Sequence, residues 1–207
     1  MWNDPVDERA VRAAVVVFGI LALAATGGRV TWFWLRYRRR PIAPPRNTAE
    51  RVFQSLLLAA IGALALAGVA RLADGPYDAI AGAWREVESR ATLGIGAGLA
   101  IFGWGVVLLA GQQMRGSWRI GIPEERTELV TTGLYSIVRN PIYDGLAIAL
   151  LGYAALLPST LTFTVFCGFV ALIPFWVRFE EKQQLAMHGE AFRAYCARTG
   201  RFVPWLR

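Results

Sequence analysis

Between Gly145 and Val177 the chain runs 33 residues without one charged side chain. As a single straight helix that run would be about 50 Å long at roughly 1.5 Å per residue. The hydrocarbon core of a bilayer is only about 30 Å thick. Pro158, with Ser159 and Thr160 behind it, breaks the run, because proline removes a helix hydrogen bond and clashes with the preceding turn. The predicted outcome is a tight helical hairpin in the membrane. Residues 13–35, 53–72 and 93–112 are three more uncharged or nearly uncharged stretches, each near the span length of about 20 residues. The composition agrees: 55% of residues are hydrophobic and 18% charged, against about 25% charged in soluble domains.

These spacings predict an all-α polytopic membrane protein with about five transmembrane helices. Residues 1–92 would hold two membrane helices and an outer interfacial helix. Residues 93–207 would hold the remaining helices and the polar site, the whole forming one integrated membrane domain. The first span is expected to be retained, because Asp4, Asp7 and Glu8 offset Arg9 and Arg12 ahead of it, whereas a secretory signal wants net positive charge there.

Sixteen of the 22 Lys and Arg residues fall on one side of this layout, between spans one and two, between three and four, and after five. The positive-inside rule therefore predicts an external N-terminus and a cytoplasmic C-terminus in a cell membrane, with the bacterial inner membrane as the expected location. Arg29 lies inside span one and is expected to snorkel toward the basic side. The net charge of +7 thus reflects topology; nucleic acid is not an expected partner, since the basic residues flank spans and no base-reading motif is present. Trp32, Trp34, Trp176 and Trp205 would form an aromatic belt at the cytoplasmic interface. After an Asp74-Gly75-Pro76 turn, Tyr77, Ile80, Ala81, Trp84 and Val87 recur at helical spacing and predict an interfacial helix on the other leaflet.

Gly94 and Gly98 form a GxxxG pattern that serves either close packing within the bundle or dimerisation. Cys167 and Cys196 support neither a disulfide nor a metal site. The lone His188 precedes Gly189 at an expected helix break and reads as a surface residue. No metal-ligand cluster or Ser/His/Asp set is present, and no glycine-rich dinucleotide fingerprint follows a strand-like segment.

What remains is a polar constellation in two parts. In the first, Tyr135 and Arg139 are four apart, on one face if the segment is helical. Pro141 cannot extend a helix backwards, and Asn140 before it is pushed toward extended backbone. Backbone donors and a positive helix end are left free there to receive a carboxylate. In the second, Glu180 and Glu181 offer acceptors to an ammonium group or to sugar hydroxyls. Phe192, Tyr195 and the segment 201–205 would fold back over them. A zwitterion carrying an aromatic base and a sugar suits such a site. Taken singly, Arg139 and the Glu pair read equally well as charges stabilising helix ends.

The segment LVTTGLYSIVRNPIY, a hairpin, and then EEKQQLAMHGEAFRAYCARTGRFVPW resembles the isoprenylcysteine carboxyl methyltransferases and the related phospholipid methyltransferases. The resemblance covers about residues 112–207. It implies S-adenosyl-L-methionine as cofactor, S-adenosyl-L-homocysteine as product, and a C-terminal cytoplasmic helix capping the pocket. By position, the implied cofactor-binding residues are Thr127, Glu128, Leu129, Val130, Tyr135, Asn140, Pro141, Ile142, Tyr143 and Glu180. Arg139, Glu180 and Glu181 are the candidate catalytic residues, a carboxylate being able to serve as base for an amine or hydroxyl acceptor. The implied acceptor is lipophilic and enters laterally from the surrounding membrane lipids. No metal is expected.

Two departures bear on the acceptor. Asn140 stands where the family has His, and Trp176 stands where prenylcysteine-specific relatives keep a carboxylate-gripping Arg. Arg178 is near in sequence but should face elsewhere on a helix; Trp176 and Arg178 are the candidate substrate-side residues. Phe192 also replaces the first Tyr of the family's Y-x-x-Y. Two other readings stay open, a membrane reductase of the sterol-reductase type using NADPH, and a non-catalytic membrane protein such as a small transporter.

Overall fold

The helices begin where the sequence supplies caps. In this computed structural model, which describes residues 7–38, 41–45, 47–73, 76–118, 128–204 and 206, Asp7 accepts a hydrogen bond from the Arg9 amide at 3.0 Å and opens α1 (Glu8–Leu23). A wide turn over Ala24–Gly28 leads without a break into α2 (Arg29–Tyr37). Asn47 caps α3 (Thr48–Leu72) through the Glu50 amide. Ser89 and Thr92 cap each other's amides at the start of α5 (Arg90–Gln113). Satisfying the first orphan N–H groups in this way is worth about 1 kcal/mol per cap.

Pro141 occupies the first position of α6 (Pro141–Leu156), where its missing N–H costs nothing. The chain then turns through Leu157, Pro158 and Ser159, and Ser159 caps α7 (Thr160–His188). The break falls where Pro158 predicted it. Gly189, at φ 54°, separates α7 from α8 (Glu190–Arg198).

Among the described residues four helices are long and apolar enough to cross a membrane: Glu8–Tyr37, Thr48–Leu72, Arg90–Gln113 and Thr160–His188. Against the five expected, α6 is a shorter apolar helix of 16 residues, about 24 Å long. The two hairpin helices are unequal in length because α7 continues past the uncharged run, beyond Val177 through Glu180, Glu181 and Lys182. Large apolar side chains such as Ile20, Leu58, Ile95, Phe102 and Phe175 point away from the core, as lipid-facing residues must.

The hairpin partners differ from the simplest expectation. α6 packs most closely on α5, antiparallel to it, through small residues. A Cβ at Gly96 would come within 2.8 Å of the Gly152 carbonyl, and one at Gly145 within 2.8 Å of the Gly103 carbonyl. Ala100 and Ala149 lie in the same seam. Small residues let two backbones approach and gain dispersion contacts that lipid cannot replace. Gly94 and Gly98 take no part; a Cβ at either would meet open space. The packing pattern is therefore Gly96 and Gly103 against Gly145 and Gly152.

Phe18 stacks on Tyr153 at 4.2 Å and meets Trp104 edge-on. The Tyr153 hydroxyl donates to the Leu64 carbonyl, tying α6 to α3.

The predicted interfacial helix is interrupted. α4 (Tyr77–Ala81) is one turn long and ends at Gly82, whose φ of 62° turns the chain aside. A left-handed glycine at this point is a common helix stop. The Trp84 amide donates to the Pro158 carbonyl at 2.9 Å and the Thr160 amide to the Gly82 carbonyl at 3.0 Å. The segment thus clips onto the α6–α7 turn. Beside it, buried Arg71 pairs with Glu88 at 2.9 Å and Glu8 at 3.1 Å, while Arg85 pairs with Asp78 at 2.8 Å. Thr127, Asp74, Gly75 and Trp205 lie outside the described residues.

Candidate functional site

The opposite end of the bundle gathers the polar constellation. Arg139 reaches it from a turn, not from a helix shared with Tyr135: a short 3-10 helix (Gly133–Ser136) ends first. Gly133 has φ 64°, and the Gln113 side chain fills the space a Cβ would need. Gln113 also accepts from the Leu134 amide at 2.9 Å.

The Arg139 Nε–H donates to Glu181 Oε1 at 2.9 Å, and its Nη1 donates to the carbonyls of Cys196 and Thr199. Its own backbone amide donates to the Gly200 carbonyl at 2.8 Å. Arg201 completes the set, donating through Nη2 to Glu181 Oε2 at 2.6 Å. That bond raises the Arg201 pKa still further and holds the guanidinium charged. Asn140 donates from its side-chain amide to the Arg201 carbonyl at 3.2 Å. One carboxylate between two guanidiniums therefore locks the segment after α8 onto the start of α6. Arg139 is almost wholly buried, and a buried pair of this kind persists only when its remaining donors are also satisfied.

Glu180, one residue earlier, faces a different environment. Tyr143 donates its hydroxyl to Glu180 Oε1 at 2.8 Å. The Trp176 indole N–H lies 2.8 Å from the same oxygen and 3.0 Å from the Tyr143 hydroxyl. Trp176 is itself fixed by Phe53 of α3, the two rings stacked 3.9 Å apart and nearly parallel. Ile173, Val177, Phe169, Phe179 and Phe202 close an apolar shell around this triad. Trp176 is thus an interior residue and not a member of an interfacial belt, whereas Trp32 and Trp34 are half exposed. Both bonds fall on Oε1; among the described residues Oε2 receives none. A preorganised carboxylate with a free oxygen suits the ammonium or ribose hydroxyls of the implied cofactor.

Tyr195 donates to the Tyr135 carbonyl at 2.6 Å, which ties α8 to the short 3-10 helix that carries Tyr135. Burial pushes the Tyr135 phenol pKa up, with Tyr195 and Glu180 adding to the effect and Arg29 opposing it. The Glu128 amide donates to Ser117 at 3.0 Å, and Leu129 and Val130 are half-buried next to it.

The structure brings Tyr135, Arg139, Asn140, Tyr143, Trp176, Glu180 and Glu181 together, with Pro141 and Ile142 in the turn that carries them. Arg178 is not among them. It is exposed, with its guanidinium 5.7 Å from the ring of lipid-facing Phe175, because two residues along a helix turn it about 200° from Trp176. Sequence reasoning missed Phe53, Gln113 and the Arg201–Glu181 pair. Arg201 stood in a segment expected to fold back; nothing in the sequence singled out Phe53 or Gln113.

Residues 91–189 match the family model described as phospholipid methyltransferase. The chain is also 31% identical over 130 residues to a methanethiol S-methyltransferase from a Pseudomonas species (strain GM41), the match covering 58% of this chain and 49% of that protein. The match thus spans about half the length of the relative. No solved structure matches the chain. The matched region includes the α5–α6 seam, the RNP turn and both Glu residues. Over residues 91–189, a little under half of the chain, it is similar to the phospholipid methyltransferases.

Proposed function

We propose that the protein is an S-adenosylmethionine-dependent methyltransferase of the bacterial inner membrane, with its N-terminus outside and its site at the cytoplasmic interface. Its acceptor is a lipophilic small molecule or lipid that reaches the site from the bilayer. The observation that carries this reading is Glu180, held by Tyr143 and Trp176 on one oxygen and, among the described residues, unbonded on the other. Glu180 Oε2 accepts from the cofactor, and residues 128–130 and 140–143 line its remaining contacts. Arg139, Glu181 and Arg201 keep the capping segment in place. When bound, S-adenosylmethionine supplies an electrophilic methyl group on a sulfonium. The chain's own contribution is alignment and exclusion of water, which in-line displacement needs more than a proton shuttle.

A thiol acceptor is a second reading, favoured by the name of the Pseudomonas relative. A nicotinamide-dependent reductase is the reading to exclude. Purified protein should be thermally stabilised by S-adenosylhomocysteine, because a ligand that binds only the folded state raises stability by mass action. A shift with NADPH and none with S-adenosylhomocysteine would overturn the proposal.

A further inference from the structure

Phe53 lies outside the methyltransferase-like region, residues 91–189, yet its ring reaches the site. It stands in the second turn of α3, just after the Asn47 cap. Its neighbour Gln54 donates from the side-chain amide to the Ala43 carbonyl at 3.2 Å, which holds this end of the helix against the segment before it. Further along α3, the Leu64 carbonyl accepts from Tyr153 of α6. The helix is therefore fastened to α6 at one level and laid against α7 at another, where Phe53 meets Trp176.

The two ring centres are 3.9 Å apart and their planes differ by only 3°. Carbon atoms in contact are already about 3.5–4.0 Å apart, so no ligand atom fits between these rings. Phe179, the other ring beside Trp176, is 5.8 Å away and tilted by 40°; it does not lie flat on the indole. An indole N–H points along the plane of its ring, so whatever fixes the plane fixes the direction of the bond. Here the plane carries the N–H to 2.8 Å from Glu180 Oε1 and 3.0 Å from the Tyr143 hydroxyl. Hydrogen bonds weaken steeply as their angle closes. An indole free to tilt would leave Glu180 held by Tyr143 alone, and a carboxylate held at one point can swing about it.

We infer that Phe53 is a positioning residue for cofactor binding: stacked on Trp176, it aims the indole N–H at Glu180 Oε1 and so keeps Oε2 turned toward the cofactor. This rests on the methyltransferase reading. Phe53 acts through Trp176, and its effect exists only while the indole N–H is there to be aimed. A carboxylate already held in its binding geometry loses less freedom when the ligand arrives, and the saving appears as affinity. α3 is thereby a working part of the site, although its ring carries no polar atom.

The test is a double-mutant cycle on purified full-length protein in detergent, read as S-adenosylhomocysteine affinity by isothermal titration. The variants are Phe53→Leu, Trp176→Phe and the two combined, with Phe53→Tyr as the conservative rescue. Leucine keeps apolar bulk at 53 but has no flat face; tyrosine keeps the face. Phe53→Leu and Trp176→Phe should each weaken binding by about fivefold, the equivalent of one hydrogen bond. Combined, they should still weaken it by only about fivefold, because residues that act through one bond are not additive. Phe53→Tyr should bind close to the unmodified protein. If Phe53→Leu does not fold, Phe53→Met, whose unbranched side chain fills irregular gaps, takes its place in the cycle. Unchanged affinity in the leucine or methionine variant would overturn the inference. So would losses that multiply to about twenty-fivefold in the combined variant, which would make Phe53 a packing residue independent of the indole, or a Phe53→Tyr variant that binds as weakly as Phe53→Leu. Failure of the unmodified protein to bind S-adenosylhomocysteine would instead strike the methyltransferase reading itself.

Discussion

Arg139 and Glu181 are 42 positions apart in the chain and meet through a 2.9 Å hydrogen bond. Between them lie the whole of α6, its turn and most of α7, so this contact fixes where both ends of the hairpin finish. Arg201 joins from the far end of the chain, and three separated segments converge on one carboxylate.

Removing the centre of that convergence should be destabilising. Arg139→Ala leaves Glu181 with one partner and strips donors from the carbonyls of Cys196 and Thr199. Breaking a buried pair from one side costs about 3–5 kcal/mol. Lysine is a poor rescue because it lacks the forked donors. Thermal unfolding in detergent should show a lowered midpoint, and limited proteolysis should cut first after His188. Wild-type protease resistance in Arg139→Ala would show that the capping segment is held by other contacts.

Glu180→Gln should separate binding from folding. The amide oxygen still accepts from Tyr143 or Trp176, but the charge presented to the cofactor is lost. S-adenosylhomocysteine affinity should fall by about 1.5–3 kcal/mol, the range for a hydrogen bond to a charged group, with little change in the unfolding midpoint. The check is isothermal titration beside a melting curve. A misfolded variant whose surviving fraction binds normally would make Glu180 a purely structural residue.

The glycine seam gives a paired prediction. Gly103→Val would drive a side chain into the backbone of α6 near Gly145 and Ala149, whereas Gly98→Val points into open space. The first should abolish monodisperse expression in detergent; the second should leave it intact. Size-exclusion chromatography of the two variants distinguishes them, and equal behaviour would mean that α5 and α6 do not approach so closely.

The resemblance puts Trp176 where prenylcysteine-specific members keep a carboxylate-gripping Arg, and on that reading N-acetyl-farnesylcysteine should be a poor methyl acceptor. Restoring Arg is not expected to rescue that activity. One helical turn from Glu180, an Arg at 176 would pair with it and lose the stack on Phe53. Trp176→Phe keeps the stack and loses only the N–H, which should weaken S-adenosylhomocysteine binding by roughly 1 kcal/mol. Robust turnover of N-acetyl-farnesylcysteine by the unmodified protein, abolished in Arg178→Ala, would contradict this account of the substrate side.

Much of this was legible in the sequence because the signals were local. The hairpin break at Pro158, the start of α6 at Pro141 and the stop at Gly189 each follow from one residue's backbone chemistry. The pairing of the RNP turn with the Glu pair was legible as a motif. The split between Glu180 and Glu181 was not, since adjacent residues on a helix point about 100° apart and only the surrounding helices decide what each meets. The true seam was hidden for a similar reason: Gly94 and Gly98 have motif spacing, but the facing surface of α6 selects Gly96 and Gly103. Phe53 was out of reach because an apolar residue in an apolar span carries no mark of its partner.

The backbone clip between Gly82–Trp84 and Pro158–Thr160 makes the far end of the hairpin its fulcrum. Two backbone hydrogen bonds resist separation there. A lever anchored at one end delivers its travel at the other. Any loosening of α6 against α7 is therefore delivered between Tyr143 and Trp176, beside Glu180, and the mouth of the site widens while the turn stays shut.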